Sequence, residues 1–184
     1  MGEPVVLGVD PGFARLGWAA VVPDGNHCLD AGVVSTIQDQ ERLGLCEDNA
    51  RRTRVIARTL RGLIDRFDVR LICAESFQHG RHAKVTAKMA FVWGALVTVA
   101  DERHIRIIHV EPRHLKLRVA RDPKASKEEV AFEVRKLVGD LDPILERKAI
   151  AGPLFEHAYD AAAAALTCIL GLERAPSAVQ EGPS

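Results

Sequence analysis

Apolar positions along this chain follow two alternating patterns, and together they lay out most of a fold. Residues 5–9 are an unbroken apolar run ending at Asp10-Pro11-Gly12, a turn signal, and they predict a buried central strand. Residues 16–22, closed by Pro23-Asp24-Gly25, and residues 28–36 predict two further strands, so close in sequence that an antiparallel meander is expected. Helical spacing takes over at residues 41–67, where Leu43, Val55, Ile56, Leu60, Leu63 and Ile64 form the apolar stripe and the arginines are expected on other faces.

Strand signals return at residues 69–74, just before Glu75, and at 105–110, just before Glu111-Pro112. Between them, residues 83–103 suit a long helix with Met89, Val92, Trp93, Leu96 and Val99 at core spacing. Residues 112–118 predict a short helix, and 121–124 a charged loop. A helix over 126–138 is expected to open with a capping box, Ser126 with Glu129 three positions on. Residues 139–153 carry two prolines and read as irregular, and 157–170 is an alanine-rich helix. The order implies an α/β fold with a mixed sheet.

Composition narrows the class. A chain of 184 residues, 47% hydrophobic, suits one core of ordinary size. The four cysteines, Cys28, Cys46, Cys73 and Cys168, form no C-x-x-C pair and are expected to be free thiols, mostly buried. No secretory leader pattern is seen, and the apolar runs are expected to be too short to cross a bilayer, which predicts a cytoplasmic protein. The formal net charge is zero. It divides unevenly: residues 79–127 hold eleven Lys/Arg against four acids, whereas the segments on either side are both net acidic. The basic middle is where phosphate contacts are expected.

The candidate chemistry lies in four residues. Asp10 and Glu75 each end an apolar strand, and a carboxylate there is costly unless paired or metal-bound. If those strands are neighbours, both acids meet at one sheet edge. His157 and Asp160 stand three apart on the last helix and share a face. Their small neighbours, Ala158 and Ala161 to Ala165, would let that helix approach a sheet closely. Three carboxylates and an imidazole suit Mg²⁺ or Mn²⁺, and two such ions can drive phosphodiester cleavage. Taken singly, each signal also has a plain reading as a turn, a strand-end charge or a helix-terminal charge.

With these residues in place, the sequence resembles the RuvC family of Holliday junction resolvases. VLGVDPGFARLGWAAV is similar to the family's opening hairpin, ICAES to the strand with the second acid, and HAYDAAAAALTCIL to the closing helix with two ligands three apart. PRHLKLRVARDPKASKEEV resembles the family's lysine-bearing stretch. The resemblance covers most of residues 5–172. It implies an RNase H-like fold with a five-stranded mixed sheet flanked by helices, as a single nuclease domain over 1–173 followed by a disordered tail over 174–184.

The implied activity is symmetric cleavage of four-way DNA junctions by a homodimer using Mg²⁺ or Mn²⁺, leaving a 5′-phosphate, with a branch-migration helicase as a further partner. Asp10, Glu75, His157 and Asp160 would be the metal-binding catalytic set, with Lys127 stabilising charge near the scissile phosphate. Phe77, Arg81, Lys84, Lys88, Lys116, Arg118, Arg121 and Lys124 would contact DNA. Phe91 with Ala95 would pack against a twofold partner. The family aromatic lies three residues after the second acid, whereas here Phe77 lies two after Glu75. Phe77 therefore reads equally as a core ring or a base-stacking wedge. A junction-binding protein with little nuclease activity, and a nuclease of broader branched-DNA or RNA–DNA specificity, remain open alternatives.

Overall fold

The computed structural model describes residues 4–39, 41–76 and 83–172. Five strands form one sheet: β1 (Val5–Asp10), β2 (Arg15–Val22), β3 (His27–Ser35), β4 (Val69–Glu75) and β5 (Arg106–Val110), in the order β3-β2-β1-β4-β5. β1, β2 and β3 are the expected antiparallel meander. β4 joins β1 in parallel and β5 joins β4 in parallel, so the sheet is mixed. The helices are α1 (Leu45–Phe67), α2 (Ala83–Glu102), α3 (Pro112–Val119), α4 (Lys127–Val138), α5 (Asp142–Arg147) and α6 (Phe155–Leu172).

Alternation along β1 sends Val5, Leu7 and Val9 to one face of the sheet and Val6 to the other, so each face builds its own core. α1 and α2 cover the first face with Ile56, Leu60, Val92 and Leu96, and α3 to α6 cover the second. The approach of α6 is unusually close. A Cβ at Gly8 would lie 1.9 Å from the Ala161 carbonyl oxygen, and one at Gly17 would lie 1.9 Å from that of His157. The alanines over 161–165 are fully buried against the strands, as their size predicted.

Four expectations need correction. Residues 139–153 are not irregular throughout: Pro143 and Pro153 sit in the first turns of α5 and of a 3-10 turn (Gly152–Leu154), where a missing N–H costs nothing. The thiols are not all free. Cys73 on β4 and Cys168 on α6 are joined as a disulfide with Cα atoms 6.5 Å apart, because both face the same core across 95 residues of sequence. Cys46 is exposed rather than buried. Arg52 is not on a solvent face: it is only 3% exposed.

Among the described residues one helix, α2, is long and apolar enough to span a membrane by length and composition. Here Val92, Ala95, Leu96, Val99 and Ala100 bury one face in the core, while Val85, Phe91 and Val97 are exposed. Trp93 is half-buried and stacks on His109 at 4.5 Å.

Candidate active site

The strand register brings the two acids together. Val9 pairs with Ala74 in the parallel β1–β4 ladder, so Asp10 and Glu75 leave the carboxyl ends of adjacent strands side by side. In an open α/β sheet this edge is where ligands bind. α6 crosses the same edge because Gly17 and the alanines let its backbone touch the strands. His157 and Asp160 project there from its first two turns. His157 Nδ1 lies 2.8 Å from Asp10 Oδ2, and both side chains are 21% exposed.

α4 supplies the cation. Ser126 caps it reciprocally with Glu129, which fixes Lys127 at the first helical position. Lys127 Nζ donates to Asp160 Oδ2 at 3.0 Å and to Glu156 Oε2 at 3.1 Å. Glu156 is the member of the site that spacing did not single out. Its signal was its position four residues before Asp160, on the same helical face.

Charge crowding is visible in the protonation of these groups. Burial, followed by the neighbouring Asp10 and Asp160 charges, pushes Glu75 up to about 7. Burial also lifts Asp160, against the pull of Lys127. The hydrogen bond to Asp10 raises His157 above the usual histidine range, opposed by burial. For Lys127 burial disfavours the ammonium, yet Asp160 and Glu156 together outweigh it and hold the proton more tightly than usual. Carboxylates held this close, with one lysine and one imidazole between them, have more negative charge than their surroundings neutralise.

The donor set is chemically that of a hard divalent cation, three carboxylates and an imidazole. Among the described residues, however, no three side chains stand in ready-made coordinating positions. Asp10 bonds instead to His157, and Asp160 to Lys127. The residues therefore fit such an ion in type and location, and would have to exchange these internal pairs for it.

The nucleic-acid candidates separate. Lys116 on α3 lies near enough to act on the Glu75 charge. Arg121 and Lys124 are exposed on the α3–α4 connection that leads into Lys127. Lys84 and Lys88 occupy the opening turns of α2. Arg118 does not join them: it leans on the Leu170 carbonyl at 3.5 Å, roughly 15 Å along α6 from Asp160. Phe77 and Arg81 lie outside the described residues. On α2, Phe91 is exposed, but Ala95 is buried within the chain because it faces the α1 side of the helix.

Known proteins resemble this chain over most of its length. The family described as "Crossover junction endodeoxyribonuclease RuvC" matches residues 6–168. A crossover junction endodeoxyribonuclease RuvC from Prochlorococcus marinus is 30% identical over 167 residues, 89% of this chain and 94% of its own. The RuvC structure from Thermus thermophilus superposes with a TM-score of 0.73 at 27% identity, covering 92% of this chain and 95% of that one. The same protein solved in complex with a Holliday junction substrate gives 0.72 at 24% identity, covering 93% and 96%, a likeness of fold. The shared architecture is RNase H-like, and on the match across nearly its whole length this chain belongs to the RuvC family of crossover junction endodeoxyribonucleases.

Proposed function

We propose that this chain resolves four-way DNA junctions by hydrolysing a phosphodiester at the edge formed by Asp10, Glu75, His157 and Asp160. The observation that carries the reading is the convergence of those carboxylates at the ends of parallel β1 and β4, with Lys127 bonded to Asp160. Mg²⁺ or Mn²⁺, two ions per site, would be held by Asp10, Glu75, Asp160 and His157 and, when bound, would supply charge neutralisation and water activation.

The chain's own residues define the remaining roles. Glu75 and Asp160 are both harder to ionise than usual; a bound cation would favour their charged forms, so protons would be released as it binds. Lys127 stands beside Asp160 with a permanent charge and can donate to a phosphate oxygen when Asp160 turns away. His157 Nδ1 orients the Asp10 carboxylate. Lys116, Arg121 and Lys124 form the basic approach to the acidic edge, and they would hold flanking phosphates without reading bases.

The reading extends to a homodimer. Phe91 on α2 is 40% exposed and borders an apolar groove of about 370 Å³ between α1 and α2. A twofold copy of α2 would cover that surface and present two acidic edges to one symmetric junction. Sedimentation of Phe91→Asp against the parent tests this, and a parent that sediments as a monomer at micromolar concentration removes it.

The decisive experiment for function incubates the protein with a synthetic four-way junction in Mg²⁺ beside the Asp160→Asn variant. Linear duplex and an RNA–DNA hybrid serve as competitors. The expected result is paired incisions by the parent and none by the variant, with both binding the junction in EDTA. Tight junction binding without incision in Mg²⁺ or Mn²⁺ would replace the proposal with a junction-binding role.

A further inference from the structure

The turn that carries Asp10 is held from behind by a buried charged network on α1. Pro11, Gly12, Phe13 and Ala14 connect Asp10 at the end of β1 to β2, and the Gly12 amide donates to the Asp10 carbonyl at 3.0 Å. The Phe13 carbonyl accepts from Thr36 Oγ1 at 2.5 Å and from Arg52 Nη2 at 3.4 Å. Arg52 Nε donates to Thr36 Oγ1 at 2.9 Å, and the guanidinium lies over the Phe13 ring, 4.2 Å from its centre. The Thr36 amide closes the frame by donating to the Ala14 carbonyl at 2.8 Å.

Arg52 is 3% exposed and its partner Asp48 is 1% exposed. Asp48 Oδ2 faces Arg52 Nη1 at 3.7 Å and has no hydrogen bond among the described residues. Asp48 Oδ1 takes Arg51 and the Asp39 amide. A buried ion pair of this kind is poor value for stability, because apolar residues of similar volume usually do as well. Its guanidinium fork instead ties three separate pieces of chain together: α1, the residue after β3, and the turn after β1. A fixed fork with several donors suits such a task better than a flexible ammonium.

We propose that Arg52, acting through Thr36, is a positioning residue that sets the Asp10–Phe13 turn and thereby places the Asp10 carboxylate beside Glu75. The inference rests on the nuclease reading for its consequence in catalysis but not for the clamp itself. Arg52 does not touch the reacting atoms. Misplacing a catalytic group by about 1 Å from a distance costs on the order of a hundredfold in rate, so a loosened turn should appear in kcat.

The test uses the full chain as Thr36→Val and as Arg52→Lys. Thr36→Val removes the hydroxyl at the centre of the relay and leaves the Arg52–Asp48 pair in place. Arg52→Lys keeps the charge beside Asp48 but not the fork. Two readouts are taken. In EDTA, hydrogen exchange of a peptide spanning the turn is compared with the parent, and exchange at least tenfold faster is expected for both variants. In Mg²⁺, kcat on a four-way junction is expected to fall by roughly tenfold to a hundredfold, with junction affinity in EDTA within twofold of the parent. A purely structural role would instead move melting temperature and leave kcat of the folded fraction alone. Unchanged exchange, or kcat within twofold of the parent in folded Thr36→Val, overturns the proposal. If Arg52→Lys fails to fold, Thr36→Val decides by itself. If the parent cleaves no junction, the nuclease reading falls, and the exchange measurement still decides whether the clamp exists.

Discussion

Replacing Glu75 with Gln should make the metal-free protein more stable above neutral pH while abolishing its chemistry. Burial, with Asp10 and Asp160 close by, lifts Glu75 from an ordinary 4.5 to about 7. For an acid, a raised pKa in the folded state means that folding holds a proton the unfolded chain would release. Folding therefore bears no penalty from this group below pH 4.5. The penalty grows as pH rises from there and is complete above about 7. A shift of that size corresponds to roughly 3 kcal/mol at full strength. Solvent reaches part of the side chain, so about 1–2 kcal/mol is the working expectation.

For a chain of this length that is roughly 3–6 °C in melting temperature. The assay is thermal unfolding of parent and Glu75→Gln in EDTA at pH 8.5 and at pH 5. The variant should melt higher at pH 8.5 and nearly together with the parent at pH 5. Added Mg²⁺ should then stabilise the parent and not the variant, since only the parent has the carboxylate to gain from it. A variant that melts with or below the parent at pH 8.5, or a difference independent of pH, would refute the idea that Glu75 is held against its own ionisation.

Three further outcomes are expected. Lys116→Ala should weaken junction binding about equally for every junction sequence and lower the slope of log affinity against log salt by about one, read by titrations at several salt concentrations; an unchanged slope removes Lys116 from the phosphate surface. Gly17→Ala places a Cβ 1.9 Å from the His157 carbonyl, which backbone cannot yield, so α6 must shift. A loss of about 1–3 kcal/mol in denaturant unfolding is expected, together with lost cleavage, and a fully active variant would contradict the close helix–strand contact. Reducing Cys73–Cys168, a link across 95 residues, should lower the denaturant midpoint by the equivalent of about 2–4 kcal/mol, and identical midpoints with and without dithiothreitol would show that the bond does not form in solution.

Much of the site was legible because its chemistry sits at element boundaries. An acid directly after an apolar strand, as at Asp10 and Glu75, stands out against the run before it. His157 and Asp160 share a face by spacing alone, and the alanines that follow announce a close helix. Arg52 was harder to see. The apolar stripe of α1 runs back from Leu60 through Ile56, and the same four-residue step continues to Arg52 and Asp48, which the rule of charged residues outside would dismiss. The step was there, but nothing local says that a buried charge has found its partners.

By itself, the sequence determined the five strands, the meander, the helices other than α5 and the acids at the strand ends, because periodicity and turn chemistry act over a few residues at a time. The tertiary structure alone decided that β4 lies beside β1 with Val9 opposite Ala74, that Cys73 meets Cys168, that Lys127 reaches Asp160, and that Arg118 points away from the acids. These depend on which distant segments share a neighbourhood after both faces of the sheet are covered. That neighbourhood is settled by the packing of whole elements and not by any local pattern.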